Sequence, residues 1–171
     1  MFIGIAVTAL FSVLALMIIH ECGHYLFGRI AGIGSKNIRL RITHVALRDG
    51  DGWAGPLQDR HQYTSAFERH CSSKHGAIGF IAGGPFIQSL AIIVLGAILY
   101  PFAQGSPLAL AICIAVTLFD LSYLIWDMIA FIITKKPAGD YSSLWMLNRG
   151  ITSSLLAINL ISIGLMWALA A

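Results

Sequence analysis

One short segment of this sequence, His20-Glu21-Cys22-Gly23-His24, has the pattern HExxH. On an α-helix, His20 and His24 are one turn apart on the same face, where their imidazoles can bind one zinc ion. Glu21 lies beside them, where its carboxylate can take a proton from an attacking water. The pattern therefore predicts a zinc hydrolase with two histidine ligands and a glutamate as general base.

An alternative interpretation of the same residues is structural. They lie in an apolar run, and polar side chains in membrane helices often only hydrogen-bond to neighbouring helices. We favour the metal site because burying three such groups without a metal or a water-filled cavity is costly. Cys22 is two residues from His20 and faces away from the site. With Cys71 and Cys113 it makes an odd count without a disulfide framework, so we expect free thiols.

A catalytic zinc site has three protein ligands and an open position for water, so one more ligand must come from elsewhere in the chain. The candidates are Asp120, Asp127 and Asp140. Counted by helical rise, Asp127 lies at about the same depth as the two histidines, which favours it over Asp120. Asp140 opens the last helical segment, where a short re-entrant turn could carry it to the metal. Spacing alone does not decide between Asp127 and Asp140.

The composition indicates which class of protein holds these residues. Of the 171 residues, 57% are apolar and 11% are charged, against roughly 45–50% and about 25% in soluble domains. A membrane-spanning helix takes about 20 apolar residues. The sequence therefore predicts an all-α polytopic membrane protein with a single membrane-embedded domain, and it nearly excludes a separate soluble domain.

Four apolar runs are long enough to span a membrane: residues 2–33, 77–103, 107–134 and 151–171. All eleven basic residues lie in or beside two connections, the polar loop 34–76 and the loop 135–150. By the positive-inside rule we expect both loops in the cytoplasm and both termini on the opposite side. Topology and contact with the lipid bilayer explain these basic residues, so the net charge of +3 implies no nucleic-acid partner.

A small β-hairpin is expected on the cytoplasmic side, between the first and second spans. Residues 37–47 alternate apolar and polar side chains with the period of a strand, and Asp49-Gly50-Asp51-Gly52 is typical of a turn. A helical substrate hides its peptide carbonyls in its own hydrogen bonds. The edge of strand 38–47 therefore offers a partner for an extended substrate segment.

The second span contains a further group of candidate residues. Gly83, Gly84 and Pro85 provide either a close helix-packing point or a break that exposes backbone to substrate. Gln88 could donate a hydrogen bond to a substrate carbonyl or oxyanion. We take these four as candidate substrate-binding residues, with helix packing as the equal alternative.

Three blocks of the sequence resemble the site-2 proteases, intramembrane zinc metalloproteases with HExxH in an early core helix. The first block, His-Glu-Cys-Gly-His-Tyr-Leu at residues 20–26, is the diagnostic one. The second, Ala-Gly-Gly-Pro-Phe-Ile-Gln at 82–88, is similar to the family's AGP-x-x-N segment, with Gln88 where asparagine is usual. The third, from Phe119 to Tyr141, resembles the segment of the compact, PDZ-less branch that carries the aspartate ligand.

The resemblance implies an intramembrane zinc metalloendopeptidase that hydrolyses peptide bonds in or near transmembrane segments of membrane-protein substrates. It implies one zinc ion per chain, bound by His20, His24 and Asp140, with Asp127 as the second candidate for the third ligand. The family's Asn-x-x-Pro run and Asp-Gly dipeptide are absent here. Asp127 lies near the former, and Asp140-Tyr141 replaces the latter.

Two other functions stay open at this point. One is a non-catalytic, site-2-protease-like membrane subunit that acts as scaffold or stabiliser of a partner complex. The other is a zinc protease of the prenyl-protein-processing kind, which fits less well because the chain has few spans and no second metal motif. Since the sequence contains no PDZ-like reader domain, we expect substrate choice to depend on a protein partner or on prior trimming.

Overall fold

Helices and one small sheet make up the part of the chain that the computed structural model describes, residues 2–56, 60–71, 73–102 and 106–170. The helices are α1 (Phe2–Ile30), α2 (Arg60–His70), α3 (Lys74–Leu99), α4 (Pro107–Thr134), α5 (Asp140–Leu147) and α6 (Arg149–Ala170). The strands are β1 (Ile38–Leu40), β2 (Val45–Asp49) and β3 (Gly52–Ala54). A 3-10 turn, Tyr100–Phe102, follows α3.

Four of these helices are long and apolar enough to cross a membrane: α1, α3 with its 3-10 extension, α4 and α6. The prediction of an all-α polytopic membrane protein with four spans is confirmed. The predicted span 107–134 coincides with α4. Ser106 caps that helix through its hydroxyl, and Pro107 occupies the first turn, where a missing N–H is harmless.

The other three spans differ from the prediction at their ends because of local caps. α1 ends at Ile30 instead of residue 33, since Gly32 is left-handed and the Ile33 N–H returns to the Gly28 carbonyl. α3 begins at Lys74 instead of residue 77, because the Ser73 hydroxyl accepts the Gly76 N–H at 3.0 Å. α6 begins at Arg149 instead of residue 151, with the Asn148 side chain accepting the Ile151 N–H at 3.1 Å.

The predicted hairpin is present as part of a three-stranded antiparallel sheet in the order β1-β2-β3. The alternation over residues 37–47 is divided between two strands, because the chain turns at residues 41–44 and pairs Leu40 with Val45. The predicted turn is confirmed, with Gly50 at φ +58° between β2 and β3. Helix α2, in the same loop, was not predicted.

One face of the sheet packs on the helices. Its apolar side chains form a buried cluster with side chains of α2 and α3: Ile38, Val45, Leu47, Ala54, Ala66 and Phe80. The backbone N–H of Val45 faces the Glu21 carboxylate. Since Glu21 precedes the end of α1 by about 14 Å of helical rise, the β1–β2 hairpin runs back alongside α1 to the level of the HExxH residues.

Helices α1 and α3 approach each other backbone to backbone. A Cβ on Gly23 would collide with the Gly83 carbonyl, and a Cβ on Gly83 would lie 2.6 Å from the Gly23 carbonyl oxygen. A Cβ on Gly84 would lie 2.8 Å from His20 Nε2. Small residues permit this approach. The structure therefore shows helix packing at Gly83 and Gly84, and their contact with substrate stays a prediction.

A second apolar cluster joins α1, α3, α4 and α6 away from the HExxH residues. Each of the four helices contributes a buried side chain: Leu16, Ile92, Val116 and Met166. Cys113 lies in this cluster, and Cys71 lies in the cluster under the sheet. Together with the half-buried Cys22, both are free, as predicted.

Replacing Gly23 by alanine should destabilise the protein. The added methyl group meets backbone atoms of α3 that cannot move aside, and overpacking of this kind costs roughly 1–3 kcal/mol. The matched control is Gly79→Ala in α3, where a Cβ meets nothing within 4 Å. Thermal unfolding in detergent should show a lower midpoint for Gly23→Ala only. Equal midpoints for the two variants would contradict the tight contact.

Candidate metal centre

Three side chains with metal-ligating atoms converge between α1 and the start of α5. His20 and His24 belong to α1, and Asp140 is the first residue of α5. The Nε2 atom of His20 lies 2.9 Å from Asp140 Oδ2 and 3.0 Å from His24 Nε2. The Nε2 atom of His24 lies 3.4 Å from the same carboxylate oxygen. Among the described residues no other group of this kind occurs.

The separations between these atoms suit a zinc ion. Ligand atoms about 2.0–2.1 Å from a tetrahedral zinc lie about 3.3 Å from one another. The three separations here are 2.9, 3.0 and 3.4 Å. Two imidazole nitrogens and one carboxylate oxygen are also a donor set of catalytic zinc sites, which leave a fourth position open. The residues present therefore fit a zinc ion.

Each histidine is oriented by a hydrogen bond at its other ring nitrogen. His20 Nδ1 donates to Gln88 Oε1 at 2.6 Å, and His24 Nδ1 donates to the Phe80 carbonyl at 2.8 Å. Because both partners are acceptors, each Nδ1 carries the proton. Each Nε2 then keeps a lone pair that is directed toward the point between the two histidines and Asp140. The Phe80 ring also stacks on the His24 ring, with 5.4 Å between centroids.

The Gln88 side chain links His20 to a buried carboxylate. Its Nε2 donates to Asp120 Oδ1, so its Oε1 must face His20. Both Gln88 and Asp120 are almost fully buried. Asp120 thus contacts His20 only indirectly, through Gln88 of α3, and it lies outside the group of ligating atoms. The contact of Gln88 with substrate stays a prediction, whereas its contact with His20 is a feature of the fold.

Asp127, the other candidate for the third ligand, caps α5. Its carboxylate accepts hydrogen bonds from the backbone N–H of Ser142, at 3.0 Å, and from the Ser142 hydroxyl. A Cβ on Gly139 would lie 2.8 Å from Asp127 Cγ, so only glycine allows this approach. The structure brings Asp140 to the histidines and uses Asp127 to hold the helix that carries it.

Tyr123 holds Asp140 from the side of α4. Its hydroxyl donates to Asp140 Oδ2 at 3.0 Å and accepts the Asp140 backbone N–H at 3.3 Å. Tyr123 therefore holds the Asp140 carboxylate beside the two histidines. Tyr123 was not predicted, and its only signal in the sequence is its place one helical turn before Asp127.

Glu21 lies beside the three ligating side chains, as the HExxH spacing predicts. Its carboxylate lies close enough to His20, His24 and Asp140 to interact with them electrostatically. The backbone N–H of Val45 in β2 faces its carboxylate, and the side chain is half-buried. The sheet therefore brings a backbone N–H to the candidate general base, which nothing in the sequence indicated.

Helix α2 brings a further side chain, Tyr63, to this region. Burial raises the pKa of Tyr63 above its ordinary value, and the nearby carboxylates of Asp140 and Glu21 raise it further. Tyr63 is therefore a neutral phenol near the charged residues of the site. No motif in the sequence singled it out.

Comparison with known proteins assigns no family to this geometry. No protein-family model, no curated protein and no solved structure matches the chain. The resemblance to the site-2 proteases therefore stays a prediction from the motifs, and the functional argument depends on the site itself.

Replacing Gln88 by leucine should weaken zinc binding. The change removes the acceptor of His20 Nδ1, and loss of such an outer partner lowers metal affinity about 10- to 100-fold. Competition with a coloured chelator at fixed pH measures this affinity in the purified, folded protein. The control is Ser89→Ala, which loses only a hydrogen bond to the Pro85 carbonyl. Unchanged affinity in Gln88→Leu would show that the amide does not orient the ligand.

Proposed function

We propose that this chain is a zinc-dependent intramembrane metalloendopeptidase that resembles the site-2 proteases. The observation that carries the proposal is the convergence of His20, His24 and Asp140 beside a glutamate, Glu21. The two histidines and the glutamate belong to a helix that is long and apolar enough to cross a membrane. The substrates would therefore be membrane proteins, cleaved in or near their transmembrane segments.

The chemistry divides between the metal and the side chains. A zinc ion held by the two histidines and Asp140 would supply Lewis-acid chemistry, polarising the scissile carbonyl and acidifying water. Glu21 takes a proton from the attacking water as the water oxygen bonds to the carbonyl carbon. Glu21 then gives this proton to the amide nitrogen while the C–N bond breaks, and the products are a carboxylate and an amine.

We further propose that substrate approaches as an extended segment along β1. The Arg41 N–H donates to the His44 carbonyl at 3.0 Å, so the alternation of an antiparallel ladder directs the backbone groups of Ile38 and Leu40 away from β2. Among the described residues no other segment hydrogen-bonds to these groups. At the level of a membrane span, an unpaired strand edge favours a partner strand.

We also propose a sidedness for the chain in its membrane. All eleven basic residues lie in or beside the loops 34–76 and 135–150, which supports a cytoplasmic location for both loops. Both termini would then lie on the opposite side. The metal centre and the sheet would lie toward the cytoplasm.

Zinc content and hydrolysis test the proposed enzyme. Purified wild-type protein should hold one zinc per chain and cleave members of a panel of reconstituted single-span membrane proteins. Asp140→Asn should lose the zinc, whereas Asp127→Asn should keep it, because asparagine still offers Ser142 an acceptor. Glu21→Gln should keep the zinc and lose activity by about 10²- to 10⁴-fold. Elemental analysis and mass spectrometry of the products provide the two readouts.

Three results would contradict this account. Folded wild-type protein that takes up no zinc would favour the non-catalytic scaffold. Zinc lost only in Asp127→Asn would move the third ligand into α4. Hydrolysis that survives in Glu21→Gln at the wild-type rate would remove the general base.

A proline at Leu40 should slow cleavage while zinc stays bound. The Leu40 N–H faces the free edge of β1, so proline removes a donor to substrate without breaking the pairing with β2. The loss of one hydrogen bond predicts a rate about three- to tenfold lower. Leu40→Ala controls for the side chain. Ile42→Pro is a second control. The alternation predicted Ile42 in the strand, but in the structure it lies in the turn between β1 and β2.

The comparison is informative only in variants that still bind zinc. A Leu40→Pro protein that holds zinc and cleaves as fast as Leu40→Ala would exclude strand pairing at β1.

A further inference from the structure

A groove of about 490 Å³ lies along β1, and the charged residues described in its lining are all positive. Its cations are Lys36, Arg39 and Arg48, and its aromatic walls are Tyr25 and Trp53. We call it the basic groove. Among the described residues no acidic side chain lines it, and none of the three cations forms an ion pair. All three are exposed, so their charges are free to meet a ligand.

The two arginines are held in place by neighbours in the sheet. The strand register puts Arg39, Arg48 and Trp53 on the outer face, opposite the buried cluster. The Arg39 guanidinium lies 4.3 Å from the centre of the Trp53 ring, and stacking keeps its N–H edges free for a carboxylate. The Arg48 Nε donates to the Gly50 carbonyl at 3.1 Å, which orients that guanidinium.

The basic groove adjoins the free strand edge and shares a wall with α1, the helix that carries two of the candidate ligands. It is lined by Ile38 and Leu40, whose backbone groups face away from β2. Tyr25, in its wall, directly follows the candidate ligand His24 on α1. A polypeptide strand satisfies the unpaired backbone groups and places every second side chain, about 7 Å apart, on one face of the sheet. A lipid headgroup offers charge but no row of backbone N–H and carbonyl groups to pair with β1.

We propose that the basic groove binds acidic side chains of an extended polypeptide segment paired with β1. As a substrate of the proposed protease, this segment comes from membrane proteins with aspartate or glutamate at alternate positions in the stretch that pairs with β1. That role rests on the proposed protease function, whereas binding itself requires neither zinc nor hydrolysis.

Peptide binding to the full-length Glu21→Gln protein in phosphatidylcholine nanodiscs tests the proposal. The ligand is a fluorescent peptide in which aspartate alternates with valine, and its match has asparagine for every aspartate. Fluorescence anisotropy should show about tenfold tighter binding of the aspartate peptide, because each exposed ion pair contributes only modestly. The difference should shrink as salt is raised.

Two matched variants locate the effect. The combined change Lys36→Gln, Arg39→Gln and Arg48→Gln should abolish the preference for aspartate. The change Lys74→Gln, Lys135→Gln and Lys136→Gln removes the same charge from exposed residues outside the groove and should preserve it. Thermal unfolding checks that both variants are folded.

Three outcomes would overturn the proposal. The first is equal binding of the two peptides, and the second is a preference for aspartate that survives in the groove variant. The third is a groove variant that binds both peptides like the parent protein and differs only in its interaction with phosphatidylglycerol in the nanodisc. The last outcome would make the groove a headgroup site. A preference that depends on the groove, together with wild-type protein that hydrolyses no substrate, would support the groove and remove the protease.

Discussion

The burial of two imidazoles and a carboxylate among apolar helices is the constraint on which the rest of the structure depends. Each of these groups alone would be costly at this depth. The cost falls because they share one point and their remaining atoms are hydrogen-bonded. His20 contacts Gln88, His24 contacts the Phe80 carbonyl, and Asp140 contacts Tyr123.

Two structural features allow this cluster to form. The first is the close approach of α1 and α3 at Gly23 and Gly83, which brings the acceptors on α3 within reach of both histidines. The second is the Asp127 carboxylate, which caps α5 through Ser142 and so fixes Asp140, two residues earlier in the same turn. Glycines at these contacts allow the approach, because larger side chains would keep α1 from α3 and α4 from α5.

In the proposed function, the sheet is the element that an approaching polypeptide meets. Its inner face packs on the helices and brings the Val45 N–H to Glu21, whereas its outer face carries Arg39 and Trp53. Strand β1 forms one edge of the sheet and adjoins the Tyr25 wall of the basic groove. In this proposal the same small element brings a backbone N–H to the candidate base and offers backbone groups and positive charge to a peptide.

The sequence by itself determined the membrane class, the four spans, the HExxH residues and the Asp49–Gly52 turn, because each depends on periodicity or turn chemistry within a short segment. It left Asp127 and Asp140 open, missed α2 and gave no sign of the roles of Tyr123 and the Val45 N–H. Those depend on contacts between segments far apart in the chain. Only the tertiary structure decided them, since helical spacing fixes which residues share a face but not which face meets which neighbour.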